Sequence, residues 1–460
     1  MFIEKKINFR LLNKFLIPIF GIYFFLIVPS TLPNFYPMFI DSGTYGYVAQ
    51  QINKGKLLYK EIFEIKLPGI YYIYAFLFKI FTDSRWVLYF VDLIHNFLIL
   101  FFIYLIFKRE NLIDYYWLFS IFFITCLRVY PSYCDGNLNE HWYLFFFLLF
   151  YYLINSEKNK IKELIAGFSF SYLFFLKQNF IFLNIPLIYF FRKKMKNYFF
   201  ILGFLPMTLF FLYIIIKSWP ESLKAIFLFP LRRSGEEKMS LILKLKTGII
   251  YGPFLQFLIL FILSCIKNSK IKRFIILQGL ILLFITFFLP LFYIHYLVLL
   301  LILTIPSFTI IGKEYPKYFC FFLLFFLIFP PFKFIKIRFK HSFKALRLTL
   351  VEKDLRLASP PMAFTIIKYL KENEKFIMIP SYPEIYFMTK TESPYRFFLL
   401  DDLVSKFFKE EFKKMIKERP PDYVYLEKEV SYFEKVFYLD RREYELKQID
   451  ENLFKFKILR

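Results

Sequence analysis

Long apolar runs recur along this sequence, and they constrain its fold more than any other feature. A helix needs about 20 apolar residues to cross a bilayer, and eleven runs approach or reach that length. They are residues 15–31, 86–107, 115–130, 141–154, 161–176, 180–191, 198–216, 248–266, 274–289, 296–311 and 318–331. Apolar types make up 58% of the 460 residues, more than one soluble core can bury, because such cores stop growing at about 250–300 residues. The sequence therefore predicts a mainly α-helical, polytopic membrane bundle with about 11 spanning helices.

The charge pattern excludes other classes of protein. A net charge of +25 on a soluble chain would indicate nucleic-acid binding. Here the basic residues lie in short clusters between the apolar runs, which is typical of a membrane protein oriented by its loops. We therefore expect membrane lipids and no nucleic acid as partners. The four cysteines are scattered, so they indicate neither a disulfide framework nor a zinc site.

The same basic clusters predict an orientation. Four basic residues precede the first run and place the N-terminus in the cytoplasm: Lys5, Lys6, Arg10 and Lys14. A further apolar run, 67–81, is short and contains Lys79. If this run does not cross the membrane, five later basic turns are cytoplasmic. The three short turns on the opposite side then contain a single Lys or Arg residue, Lys177. We therefore predict a multi-pass protein of the cytoplasmic (inner) membrane, in which the run 67–81 lies along the outer surface or enters the membrane part way.

Three longer segments are then external: a first loop at 32–85, a second at 217–247, and the chain from Lys333 onward. The last segment has the mixed polar and apolar sequence that is typical of a soluble domain. Residues 1–332 are thus predicted to form the transmembrane domain, and residues 333–460 a small external α/β domain. Its predicted elements are a helix at 360–373, strands at 376–379 and 423–426, a helix at 403–418, and a closing hairpin of 443–448 and 453–458.

Ionisable residues facing outward at membrane level are the candidates for function, because they are costly there. In the first loop Asp41 could cap a helix over 44–53 that ends at Gly55, or it could take part in chemistry. Glu61, Glu64 and Lys66 follow, and a solvated interfacial turn is the simpler interpretation of these three. Inside the second span Asp92 and His95 lie on one helix face. A metal site or proton relay is conceivable for this pair, but we favour an interhelical contact.

The first loop resembles a known family. The motif Asp41-x-Gly-x-Tyr45, then Gly55, then the stretch Phe-Glu-x-Lys-x-Pro at 63–68 resemble the first external loop of the GT-C glycosyltransferases. The resemblance is closest to the bacterial branch of lipid A aminoarabinose transferases and protein mannosyltransferase-like proteins. Shorter similarities follow in order along the chain: the acidic turn 135–140, Lys177 with Gln178, His295 with Tyr296, and the runs 382–386 and 419–424.

The resemblance implies an enzyme that transfers a sugar from a polyprenyl-phosphate-linked donor to a lipid, glycan or protein acceptor outside the membrane. It implies roles for six residues: Asp41 as general base or metal ligand, Lys66 as the contact to the donor phosphate, Asp135 or Glu140 as a second acidic group, and Lys177 and His295 as phosphate or acceptor contacts. A cofactor is left open, a divalent metal ion being the candidate. For Lys177 and His295 a capping or snorkelling role at a helix end is the alternative.

Two other functions compete with this interpretation. A transporter or lipid flippase predicts polar residues near mid-span and paired broken helices, whereas the ionisable residues here lie towards the outer ends. An outer-face glycan polymerase or ligase would share the many spans and outer loops. It would not predict the block from Asp41 to Lys66.

Overall fold

The computed structural model describes residues 9–236, 239–266, 272–288, 293–314, 332–352, 366–370, 374–379, 381–400, 402–427 and 429–459. This part of the chain is mainly helical, with one small sheet near the C-terminus, as the sequence predicts. The helices are α1 Phe9–Ile27, α2 Ile40–Asn53, α3 Gly69–Ile80, α4 Arg85–Arg109, α5 Tyr116–Ile124, α6 Asn139–Ile154, α7 Lys160–Phe175, α8 Ile181–Met195, α9 Tyr198–Lys217, α10 Glu221–Leu223, α11 Phe229–Glu236, α12 Leu241–Tyr251, α13 Phe254–Ile266, α14 Lys272–Leu283, α15 Leu301–Glu314, α16 Phe332–Leu346, α17 Pro383–Thr389, α18 Asp402–Phe407, α19 Lys409–Glu418 and α20 Val430–Phe437.

The predicted spans coincide with helices. Ten of the eleven apolar runs are helical over most of their length, and the remaining run, 318–331, lies outside the described residues. Among the described residues, three helices are long and apolar enough to cross a membrane on their own: Arg85–Arg109, Tyr198–Lys217 and Ile294–Lys313. The run 67–81 forms α3, whose 12 residues extend about 18 Å and are too short to cross a bilayer.

The predicted span 248–266 is not one continuous helix. It is divided between α12 and α13, and the chain bends by 97° between Leu241–Tyr251 and Gln256–Leu263. The break falls at Gly252 and Pro253, where proline has no N–H to continue the helical hydrogen bonds. Gly252 also lies against Leu297, so that a Cβ atom at this position would overlap the Leu297 side chain.

The chain divides into two compact units that interleave along the sequence. The first contains Met1–Tyr36, Leu88–Phe210 and Glu237–Arg356, and the second contains Pro37–Val87, Phe211–Glu236 and Leu357–Arg460. Residues 333–352 therefore group with the helices of the first unit, and residues Pro37–Val87 group with the C-terminal residues. The domain boundary predicted at residue 333 stays a prediction.

The second unit contains the sheet. Its strands are β1 Phe376–Ile379, β2 Tyr423–Leu426, β3 Tyr444–Gln448 and β4 Leu453–Ile458, in the order β1-β2-β4-β3. Strands β1 and β2 are parallel, with Phe376 opposite Tyr423, whereas β4 is antiparallel to both of its neighbours. The predicted strands and closing hairpin are confirmed. The predicted helix 403–418 is two helices, α18 and α19, divided at Phe408, and the predicted helix 360–373 is described only over 366–370.

Candidate functional site

Asp41 lies inside the first turn of α2. The helix begins at Ile40, and the extended residue at its N-cap position is Phe39, which makes no side-chain cap. The predicted capping role of Asp41 is therefore wrong. A carboxylate in the first turn is still favoured there, because the unsatisfied N–H groups give the start of a helix a partial positive charge. The predicted end of the helix is confirmed, since Gly55 follows it with a φ of +90°.

Lys66 is the partner of Asp41. The Nζ atom of Lys66 lies 2.9 Å from Oδ1 of Asp41, and the two side chains are 11% and 24% exposed. The same ammonium group lies 4.6 Å from the centroid of the Tyr45 ring, which supplies a second favourable contact. The structure thus brings together two site residues that the sequence predicts separately, 25 positions apart.

The loop that carries Lys66 is held by hydrogen bonds to its backbone. The Tyr59 hydroxyl donates to the Lys66 carbonyl over 2.8 Å. The Ser218 hydroxyl donates to the Leu58 carbonyl over 2.6 Å, and Nη1 of Arg396 donates to the Tyr59 carbonyl over 3.2 Å. Each of these carbonyls is therefore satisfied by a side chain, and the position of Lys66 is defined by contacts with two distant segments of the second unit.

Glu64 is a candidate site residue that the sequence interpretation missed. Its side chain is buried rather than solvated, and Oε1 accepts the Ile65 backbone N–H over 2.8 Å. The Tyr71 hydroxyl is a further hydrogen-bonding partner of the carboxylate. Burial raises the pKa of Glu64 above its ordinary value, although Lys66 opposes the shift. The one signal for Glu64 in the sequence is its place in the Phe-Glu-x-Lys stretch; Glu61, by contrast, is exposed as the solvated-turn interpretation predicts.

Gly43 of the Asp-x-Gly-x-Tyr motif and Gly46, directly after the motif, permit a close helix contact. Helix α17, Pro383–Thr389, packs against α2. A Cβ atom at Gly43 would overlap the backbone and Cβ of Glu384, and one at Gly46 would lie 2.7 Å from the Phe387 ring. The motif is therefore a packing surface as well as the carrier of Asp41.

Substituting Gly43 by Ala is expected to destabilise the protein by about 1–3 kcal/mol, because the new methyl group overlaps the Glu384 backbone. The unfolding temperature of the purified protein should fall by about 2 °C or more. Gly21→Ala is the matched control, since no atom lies within 4 Å of the position that its new methyl group would take, and it should leave the unfolding temperature unchanged or raise it. Equal unfolding temperatures for both variants would show that the contact with Glu384 is not tight.

A second cluster lies in the first unit. Glu140 is in the first turn of α6, and its side chain is fully buried. Its Oε1 atom lies 3.0 Å from Nζ of Lys177 and 3.7 Å from Nε2 of His295. Lys177 also lies 4.1 Å from the centroid of the Tyr296 ring. Three candidates predicted from three separate turns therefore meet around one carboxylate oxygen.

Asp135 is on the same turn as Glu140 but has different neighbours. It is partly exposed, near Tyr36 and Tyr133. The carboxylate that contacts Lys177 and His295 is that of Glu140.

The pair Asp92 and His95 resolves into two different environments. Asp92 is ion-paired with Arg128, with 3.0 Å between Nη1 and Oδ2, and it accepts hydrogen bonds from Tyr133 and Asn96. The favoured interpretation as an interhelical contact is confirmed for Asp92, with Arg128 as its partner. His95 instead packs against Trp142, with 4.9 Å between the ring centroids.

Across the described ranges, no group of three or more His, Cys, Asp or Glu residues is arranged to hold a metal ion. The contact of Asp41 that bears on its chemistry is the ion pair with Lys66.

These features define the class of fold. The chain shares its fold with solved structures of ArnT. Two of the matching structures are of ArnT from Cupriavidus metallidurans, one bound to undecaprenyl phosphate and one in the apo state. Both matches have a TM-score of 0.59 and cover 96% of this chain and 97% of the ArnT chain, at 11% and 12% sequence identity respectively. No protein-family model and no curated protein matches the sequence, and the branch within the fold stays a prediction.

Proposed function

We propose that this protein is an integral-membrane glycosyltransferase that moves a sugar from a polyprenyl-phosphate-linked donor to an acceptor at the external face of the membrane. The observation that carries the proposal is the contact between Asp41 and Lys66 in a chain that shares its fold with ArnT over nearly its whole length. This contact joins a carboxylate and an ammonium group, the two groups that the reaction needs, over a distance of 2.9 Å.

The reaction breaks the bond between the sugar C1 and an oxygen of the phosphate. The polyprenyl phosphate leaves with the bonding electrons. An acceptor hydroxyl forms the new bond to C1 and gives up its proton. In our proposal Asp41 takes that proton as general base, and Lys66 stabilises the charge that develops on the leaving phosphate. In the free protein the contact between the two side chains holds both of them in place before the donor binds.

The cluster of Glu140, Lys177 and His295 supplies a second charged site in the first unit. We assign to it contacts with the phosphate or the acceptor. The proposed acceptor is of one of the classes that the resemblance implies: a lipid, a glycan or a protein.

The test is an assay of the purified protein in liposomes with labelled polyprenyl-phosphate sugars and a membrane extract as the source of acceptor. The proposal predicts loss of the sugar-linked donor together with release of free polyprenyl phosphate. Movement of the intact donor across the bilayer without cleavage would instead identify a flippase. Growth of a glycan without consumption of the polyprenyl-monophosphate-linked donor would identify a polymerase or ligase.

The orientation is proposed to be cytoplasmic at the N-terminus and external at the C-terminus. Single cysteines at the exposed positions Lys414 and Lys457, in a background without the native cysteines, should react with a membrane-impermeant reagent in intact cells. A cysteine at Lys158, which is also exposed but lies in a predicted cytoplasmic turn, should react only after permeabilisation. The reverse labelling pattern would contradict this orientation.

A further inference from the structure

Helix α16, Phe332–Leu346, is strongly basic. Between residues 333 and 347 the sequence contains six Lys and Arg residues and no acidic one: Lys333, Lys336, Arg338, Lys340, Lys344 and Arg347. The helix directly follows the predicted span 318–331, so it begins at a membrane surface. On the external side the distribution of basic residues in membrane proteins predicts few lysines at such a position, so this cluster requires a separate reason.

One face of this helix is used for packing. Arg338, Ser342 and Ala345 are buried, and the helix contacts α1 and the short helical turn Val28–Thr31 within the first unit. Arg338 lies 5.3 Å from the centroid of the Tyr36 ring. The helix is thus anchored to the bundle by one face and leaves the other open.

The open face carries a continuous stripe of positive charge, which we call the basic stripe: Lys333, Lys336, Lys340, Lys344 and Arg347. These residues are spaced by three and four positions, so they lie on one side of the helix over a length of about 21 Å. Large apolar side chains are exposed along the edges of the stripe. Ile337 is 38% exposed, Phe343 63% and Leu350 69%.

The lysines of the stripe have no acidic partners among the described residues. Arg347 pairs with Glu352 over 3.1 Å, but none of the four lysines forms an ion pair with a described residue. Some lysines elsewhere in the chain do have acidic partners. In the helix Lys409–Glu418, three of them pair with glutamates: Lys413 with Glu410, Lys414 with Glu418 and Lys417 with Glu443.

We propose that the basic stripe binds the headgroups of anionic phospholipids in the leaflet where the chain leaves the membrane after residue 331. Lysine ammonium groups near a surface are attracted to negatively charged lipid, and apolar side chains beside them enter the interface. The combination of a row of exposed lysines, exposed Phe343 and Leu350, and a position directly after an apolar run is that of a helix at an anionic bilayer surface. This inference does not depend on glycosyl transfer.

The test compares two quadruple variants that remove the same charge. One carries K333Q, K336Q, K340Q and K344Q, and the other carries K409Q, K413Q, K414Q and K417Q. The unfolding temperature of each detergent-purified protein is measured as phosphatidylglycerol or phosphatidylcholine is added. We expect phosphatidylglycerol to stabilise the unmodified protein and the second variant alike. The first variant should need at least about tenfold more of it, since each lysine near an anionic surface contributes about a fivefold change in binding.

Three further measurements separate lipid binding from a general response to charge or to free phosphate. Raising the salt concentration should weaken the effect of phosphatidylglycerol, and soluble glycerol 3-phosphate should not replace the lipid. Phe343→Ser should reduce the response although it removes no charge. The proposal is overturned if the first variant responds as the unmodified protein does, which would make the stripe a solvated face. It is also overturned if glycerol 3-phosphate stabilises as well as the lipid, or if both quadruple variants lose the response equally.

Discussion

Replacing Asp41 by Asn is expected to lower the rate of sugar transfer by about a hundred- to ten-thousandfold, while the protein inserts and accumulates normally. Asn has nearly the same size as Asp and is tolerated in the first turn of a helix. It cannot take a proton from an acceptor hydroxyl, and it cannot form the ion pair with Lys66. The measurement is turnover of the labelled donor by purified protein, beside its unfolding temperature.

Asp83→Asn is the matched control for this substitution. Asp83 belongs to the same loop segment, pairs with Lys390 and accepts a hydrogen bond from Gln50. The control also removes one charge and one ion pair, but at a carboxylate to which we assign no chemistry, and turnover should stay close to normal. Near-normal turnover in the Asp41 variant would exclude this residue from the reaction, and an equal loss in both variants would show that general charge is responsible.

Replacing Lys66 by Ala is expected to reduce donor use by about a hundredfold or more, because the ammonium group that meets the leaving phosphate is lost. Lys66→Arg should be partly tolerated, since a guanidinium group can bind a phosphate and keep a contact with Asp41. The loss should appear with every acceptor, because the donor phosphate is common to all of them. Inhibition by free polyprenyl phosphate should weaken in parallel, which can be measured as a higher inhibitory concentration.

Lys60→Ala is the control, since Lys60 is exposed in the same loop. This substitution should change neither the donor use nor the inhibition by free polyprenyl phosphate. If Lys66→Ala retained normal donor affinity and turnover, the phosphate would have to be bound elsewhere. Lys177, whose ammonium group lies 3.0 Å from Glu140, would then be the next position to test.

The secondary structure was largely predictable from the sequence because its signals are local. Runs of apolar residues indicated the helices, and short β-branched and aromatic runs indicated strands at 376–379 and 423–426 within their observed bounds. The departures also have local causes. Pro253 breaks one predicted span, and Phe408 lies between two helices where one was predicted.

The site was predictable in its residues but not in its contacts. The motif identified Asp41 and Lys66, yet nothing in the sequence indicated that Gly43 faces Glu384. The burial of Glu64 was likewise not predictable, because charged residues in a polar loop are usually solvated. Such facts depend on which distant segments meet.

Arg396 is a further example. Its guanidinium group contacts Glu411 and Glu221 over 2.7 and 2.9 Å, and it donates to the Tyr59 carbonyl. Three segments far apart in sequence are therefore joined by one side chain. Local periodicity contains no information about such a junction.

The packing of Pro383–Thr389 on α2 has a consequence for the timing of synthesis. The hydrogen bond from the Ser393 backbone to the Tyr47 hydroxyl joins residues 346 positions apart. A ribosome adding about 5–20 residues per second needs roughly 20–70 s to make that interval. During this time the nascent chain already carries Asp41 and Lys66, but the helix that covers Gly43 does not yet exist. A chain released before residue 383 would therefore contain the motif without its support, and activity should begin only when translation is nearly finished.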